Sequence, residues 1–227
     1  MTKRSSLRLL GVLVAVAAFG LASTAWATTI TISNTDPISI PAAGSATGAG
    51  KADPYPSSIV VGGILDVVVD LNVTLSSLSH SWTDDIYIVL EGPTGQSLVL
   101  WNDAGGGTSV LAVDITFDDE APGKIPNFGP LGAGSYQVSQ YGRIPGAAGT
   151  APAPNPGFGG NLGLFDGLDA NGTWNLWAFD DANFDTGVVM NGWSLTFETR
   201  PIPEPTAAVL FAVGTFVVGG TLRRQRR

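Results

Sequence analysis

Cysteine is absent from this 227-residue chain and histidine occurs once, at His80. Without thiols there are no disulfides, no zinc–thiolate sites and no thiol nucleophiles, so the fold must be stabilised by its core, helped at most by a metal. Any Ser-His-Asp arrangement would have to use His80, with Asp84 or Asp85 orienting the ring, and no Gly-x-Ser-x-Gly elbow accompanies it. The chain therefore reads as a non-enzyme, and His80 as a loop residue bonded locally. Charge is also scarce, at 13% of residues, and one-sided. Every acidic residue lies between Asp36 and Glu204, where only Lys51, Lys124, Arg143 and Arg200 oppose them; four bases against 19 acids leave a net −15. Such a surface repels phosphate and anionic lipid, which excludes nucleic acid as a partner and favours divalent cations. The length suits one well-packed domain and is short for two.

The ends carry what the middle lacks. Lys3, Arg4 and Arg8 precede the apolar LLGVLVAVAAFGLA and then ASTAWA, the order of a secretory signal peptide. Ala25 and Ala27 form its small-x-small cleavage site, so residues 1–27 read as a signal peptide, a helix removed after export through the Sec pathway. Residues 206–222 are 17 uncharged residues, about 25 Å as a helix, against a hydrocarbon core of roughly 30 Å. Pro201, Pro203 and Pro205 block an upstream extension, and Arg223, Arg224, Arg226 and Arg227 stay cytoplasmic by the positive-inside rule. A transmembrane helix is expected there, with the acidic domain outside.

The motif Pro203-Glu204-Pro205, the short apolar helix and the arginine tail together resemble the PEP-CTERM sorting signal of exported proteins of Gram-negative bacteria. The resemblance covers residues 200–227 and implies a membrane-embedded exosortase as partner, an inner-membrane-tethered intermediate, and a destination at the cell surface or in the extracellular matrix, among exopolysaccharide.

Between the ends, residues 28–58 hold one alternating run, TTITISN, then a Gly/Pro/Ala-rich stretch read as loop. In ILDVVVDLNVTL the odd positions Leu65, Val67, Val69, Leu71, Val73 and Leu75 are apolar, the period-two pattern of a half-buried strand. It recurs at Ile86, Ile88 and Leu90, at Leu111, Val113, Ile115 and Phe117, and at Trp193, Leu195 and Phe197. Gly92-Pro93-Thr94-Gly95 and Gly105-Gly106-Gly107 punctuate these runs. No internal stretch has a helical period, so the expected fold is all-β, an antiparallel sandwich of the jelly-roll kind over residues 59–199. The Gly/Pro-rich excursion 121–161 is too long to be a simple connection. Trp174 and Trp193 read as core; Trp101 and Trp177, out of phase with their apolar neighbours, read as outward platforms.

Gly172, Trp174, Leu176, Asp180, Asp185, Gly187, Trp193, Leu195 and Phe197 follow the closing strands of the P domain (Homo B) of subtilisin-like proprotein convertases. His80, Asp85, Ile88, Leu90, Pro93 and Gly95 are similar to an earlier part of it, with departures at Asp84 and Ile86. The resemblance implies a galactose-binding-like jelly roll and a structural calcium ion.

Acidic residues gather in three loops: Asp84-Asp85, Asp118-Asp119-Glu120, and Asp180-Asp181 with Asp185. Calcium takes six to eight oxygens from carboxylates and carbonyls of separate loops, and crowded carboxylates repel one another unless a cation sits among them. A site drawn from Asp85, Asp118 or Asp119, and Asp180 is expected, against the alternative of solvated turn carboxylates. No twelve-residue helix-loop calcium motif is present. Two other roles stay open: a lectin-like module stacking surface glycans on Trp101, Trp177, Tyr87 and Tyr141, and a hydrolase or protease accessory domain.

Overall fold

The computed structural model describes residues 27–43, 49–142, 151–156 and 159–201. The signal helix and cleavage residue Ala25, the helix at 206–222, and sorting residues Pro203, Glu204, Pro205, Arg223, Arg224, Arg226 and Arg227 lie outside them. Among the described residues no helix is long and apolar enough to cross a membrane.

The described chain is all-β, with two stacked sheets and two single-turn 3-10 helices at Thr83–Asp85 and Leu162–Phe165. The first sheet is built on the long strand β5 (Val67–His80). Along one edge of β5 run β13 (Trp193–Arg200) and then β12 (Gly187–Val189), and along the other runs β8 (Val110–Phe117), all antiparallel. β1 (Thr28–Asn34) continues the sheet beyond β13, β2 (Ile38–Ile40) beyond β12, and β9 (Gly134–Tyr136) beyond β8. The second sheet is centred on β6 (Ile86–Glu91), between β7 (Ser97–Asn102) and β11 (Gly172–Asp180). β3 (Gly50–Lys51) and β4 (Ser57–Val61) share the far edge of β11, and β10 (Ser139–Gln140) lies beside β7. The stretch 28–58, expected as one strand and a loop, thus supplies strands to both sheets.

Between the sheets lie the largest buried side chains, Trp101, Trp174, Trp193, Phe117, Phe165 and Phe197. Trp174 packs on Phe165 and Phe197 with ring centroids 5.0 and 5.4 Å away. An indole buried this deeply needs an acceptor for its N–H. Trp174 donates to Ala170 O, Trp193 to Ser57 Oγ, and Trp101 to the Thr83 and Ala104 carbonyls. The closing strands β11 and β13 are strands of opposite sheets, and Trp174 and Trp193 meet in the interior as expected.

Two expectations of alternation are corrected by bulges. Glu198 pairs with Asp70 but Thr199 with Val68, so Val69 is an extra residue and the inward position moves to Val68. Val67 and Val69 are half-buried, and Leu65 precedes the strand, 90% exposed. A second irregularity at Ser77 (φ 59°) shifts the inward set to Leu78 and His80. Opposite it, Ala112 (φ 51°) leaves Leu111 83% exposed, although Ile115 and Phe117 point inward.

The outer face of the second sheet is not polar. Tyr87, Val89, Val99 and Trp177 form a small second core there, packed by Tyr55, Ala153 and Phe179. Tyr55 meets the Trp177 ring edge-on at 5.0 Å, and the Trp177 N–H donates to Glu91 Oε2. A strand buried on both faces shows a continuous apolar run, and IYIVL in β6 and LVLW in β7 are such runs.

Candidate functional site

The end of the sandwich reached by the C-terminus of β5 gathers four connections: 81–85, 103–109, 124–131 and 181–186. Backbone bonds stitch them together, among them Ser81 N to Thr186 O, Thr83 N to Thr108 O, Asp84 N to Gly106 O, Gly105 N to Pro126 O and Asp181 N to Asp85 O. The first and last are also joined through Ser81 Oγ, which donates to Asp185 Oδ1 at 2.9 Å and accepts from Thr186 N at 3.0 Å.

Beneath these loops His80 and Asp180 are fully buried, bridging the two sheets with Nε2 and Oδ2 3.3 Å apart. His80 Nδ1 faces the Trp82 carbonyl at 2.8 Å and the Trp82 N–H at 3.2 Å. Asp180 Oδ1 accepts from Ala182 N. His80 is therefore the inward-facing last residue of a strand rather than a loop residue, and only its Nδ1 is bonded locally, to Trp82, while Nε2 faces Asp180 of the other sheet. Gly187, its register partner, makes room for the ring: a Cβ there would sit 2.2 Å from His80 Cδ2 and 2.4 Å from Ser79 O.

Above this pair the carboxylates crowd. The Asp85 carboxyl is pushed up to about 7 by burial, then by the charges of Asp180, Asp185 and Asp181 and a hydrogen bond shared with Asp185. Asp181 is pushed up to about 7 by desolvation, then by Asp103, Asp180 and Asp84. The Asp181 residue as a whole stays exposed, so solvent screens much of its charge. Burial raises Asp84 against an opposing bond from the Gly106 backbone. Loops 81–85, 103–109 and 181–186 contain no Lys or Arg.

Asp118, Asp119 and Glu120 belong elsewhere. They follow β8, which ends opposite Val73, so they lie toward the other end of β5. Their neighbours are Asp70 and Asp166: Asp70 is raised by burial and then, against a Leu71 backbone bond, by Glu198, Asp118 and Asp166, while Glu120 is raised by burial and then by Asp70 and Asp118. Asp118 Oδ1 accepts from Glu120 N, and Asp119 Oδ2 from Gly163 N. The antiparallel pairing of β8 with β5 thus divides the three expected acidic loops into two groups. Asp84, Asp85, Asp180, Asp181 and Asp185 come together; Asp118 and Asp119 form a separate set.

Among the described residues no three His, Asp or Glu side chains stand in a metal-coordinating array. The Asp85–Asp185 group has the all-oxygen chemistry that suits a hard cation, with pairwise contact between carboxyls rather than a finished shell.

The expected stacking platforms are corrected. Trp101 lies between the sheets, turned inward by the bulge that pairs Ile88 with Trp101 but Val89 with Val99, whereas Tyr87 and Trp177 do face outward and are covered there by Tyr55 and Ala153. Tyr141 is partly exposed, its hydroxyl donated to Ile125 O. Sequence reasoning missed Trp82, Phe128 and Phe184, which are exposed, and Asp103, which faces Asp181. Their one signal was position, as lone aromatics in turn-rich loops outside any alternating run.

No family model matches the chain, and no curated protein matches it. Two solved structures it is similar to are the serine protease of Aeromonas sobria in complex with its chaperone and the same protease alone. Each is 16% identical, with TM-scores of 0.34 and 0.32, over 77% and 76% of this chain and 28% and 27% of those chains. The chain spans under a third of their length, and at these scores the likeness does not define a shared fold.

Proposed function

We propose that the chain is an exported, non-catalytic surface protein whose P-domain-like sandwich is stabilised by calcium held among Asp85, Asp181 and Asp185, with Asp84 beside them. The observation that carries this reading is the crowding of Asp85, Asp181 and Asp185 above buried Asp180, where burial and like charge push the Asp85 carboxyl up to about 7, in loops that contain no lysine or arginine. A divalent cation relieves that repulsion and takes the place of the proton that burial and like charge favour there. The non-catalytic reading draws support from His80, the sole imidazole, which is buried between the Trp82 backbone and Asp180. Thermal unfolding in calcium and in chelator tests the cation: a midpoint raised by calcium supports it, and coincident curves refute it.

The destination rests on sequence. Residues 200–227 act as a PEP-CTERM-type signal read by an exosortase, and the domain faces the cell surface or the exopolysaccharide matrix. Replacing Pro203-Glu204-Pro205 by alanines in the full chain is expected to hold it in the membrane fraction while the unaltered chain is processed. Equal fractionation of the two would contradict the assignment.

A further inference from the structure

The loop end that carries the carboxylates also carries the described domain's largest concentration of unburied aromatic surface. Phe184 is 93% exposed, Phe128 79% and Trp82 46%. They are neighbours by way of the loops. The Trp82 ring lies on Gly107, where an added Cβ would come within 2.4 Å of it, and Phe128 lies on Gly106, whose Cβ would meet its backbone and ring at 3.2 and 3.3 Å. Phe184 directly precedes Asp185, which is bonded to Ser81, the residue before Trp82. Phe184 also holds φ 79°, a left-handed backbone disfavoured for a bulky side chain.

The chemistry of this end selects a partner. The three rings sit in the loops themselves, whereas the exposed aliphatic side chains Val60, Leu65, Leu111, Leu164 and Met190 lie outside those loops, Leu111 coming nearest on β8 beside Val110, the partner of His80. Loops 81–85, 103–109 and 181–186 contain no Lys or Arg to receive an anionic polymer, and the base of 124–131, Lys124, lies at its start beside Gln137 and Asp119. Carboxylates and turn carbonyls are hydrogen-bond acceptors, and hydroxyl groups are what they accept from. Rings that present a flat apolar face beside acceptors match a pyranose, whose C–H face stacks while its rim hydroxyls donate. With calcium neutralising the carboxylates, as proposed above, nothing remains to draw in a polycation; in this one respect the inference rests on that reading. We infer that Trp82, Phe128 and Phe184 form a docking surface for a neutral polysaccharide.

Trp82 supplies its own reporter, because Trp101, Trp174, Trp177 and Trp193 are buried. Native gels of the exported chain, cast with a neutral glucan, mannan or galactomannan, with alginate, or with chitosan, measure retardation. Retardation is expected in at least one neutral gel. The apparent dissociation constant should rise tenfold or more in Trp82→Ala and in the double variant Phe128→Ser/Phe184→Ser, which leaves Trp82 and its seat on Gly107 in place. The same polymer should shield wild-type tryptophan emission from acrylamide and fail to do so in Trp82→Ala. Retardation by no neutral polymer, equal retardation of the variants, or retardation by chitosan alone overturns the inference. Repeating the gels in calcium and in chelator separates the two readings. Neutral-polymer binding by a protein whose melting ignores calcium removes only the cation, while calcium-dependent melting without polymer binding removes only the docking surface.

Discussion

The two ends of β5 are both acidic, and they differ in what surrounds the acids. Asp70 and His80 are ten residues apart on this strand, about 30 Å of extended chain. At the Asp70 end, Asp70, Glu120 and Asp166 are also raised by burial and by neighbouring carboxylates, but Asp118 and Asp119 are occupied by the fold, Asp118 accepting from Glu120 N and Asp119 from Gly163 N. At the His80 end, two carboxyls are pushed up to about 7 above a buried His–Asp pair, and exposed rings stand beside them. Carboxylates that cap backbone N–H groups have their charge used by the fold, whereas carboxylates that face one another leave a charge deficit for a ligand to fill. The number of acids in a loop thus says less about a cation site than the partner each acid already has.

Substitutions sort the ends by expected size. Gly187→Ala drives a Cβ into a backbone carbonyl and the His80 ring, and should cost about 3 kcal/mol or more in chemical denaturation. Gly123→Ala, near the other acidic group, meets open space and should stay within about 0.5 kcal/mol. Comparable losses would show that the His80 end is no more tightly built than the other. Next in size is the calcium response. Asp85→Asn with Asp181→Asn should abolish any calcium-induced rise in melting midpoint, while Asp118→Asn with Glu120→Gln should leave it intact. The reverse pattern would move the cation to the Asp70 end.

The pH response has a definite sign. Asp85 and Asp181 titrate near 7 in the folded chain and near the ordinary carboxylate value of about 4 when unfolded. The folded state therefore holds more protons between those values, and without calcium its stability falls as pH rises from about 4 through 7. Melting in chelator should show that decline, flattened by Asp85→Asn; a midpoint that climbs across the same window would contradict the crowding. Asp118→Ala removes one cap bond and should cost only about 1 kcal/mol, independent of calcium.

Much of the fold was legible where local pattern and tertiary context agree. Leu71, Val73 and Leu75 alternate and are buried, and Trp174, Trp193, Leu195 and Phe197 fill the interior as their spacing implied. Legibility failed at bulges, since one extra residue at Val69 or a left-handed turn at Ala112 reverses every inward position beyond it without a mark in the hydrophobic pattern. Trp101 is another such case, turned inward by the bulge beside Leu100, while Trp177 failed for a different reason: strand phase says which face a ring takes and not whether a distant segment such as Tyr55 or Ala153 covers that face. For the site, the meeting of Asp85 with Asp180 followed from the gathering of acids in their two loops. The separation of Asp118 and Asp119 did not, because it depends on the direction in which β8 pairs with β5.

Calorimetric unfolding of the chelated protein, repeated after calcium is restored, tests the central claim most directly. The account predicts a higher midpoint with calcium, with the increment growing from pH 5 to pH 7.5 as the Asp85 and Asp181 carboxyls lose the protons that substitute for the cation. Superimposable transitions with and without calcium at both pH values would contradict it.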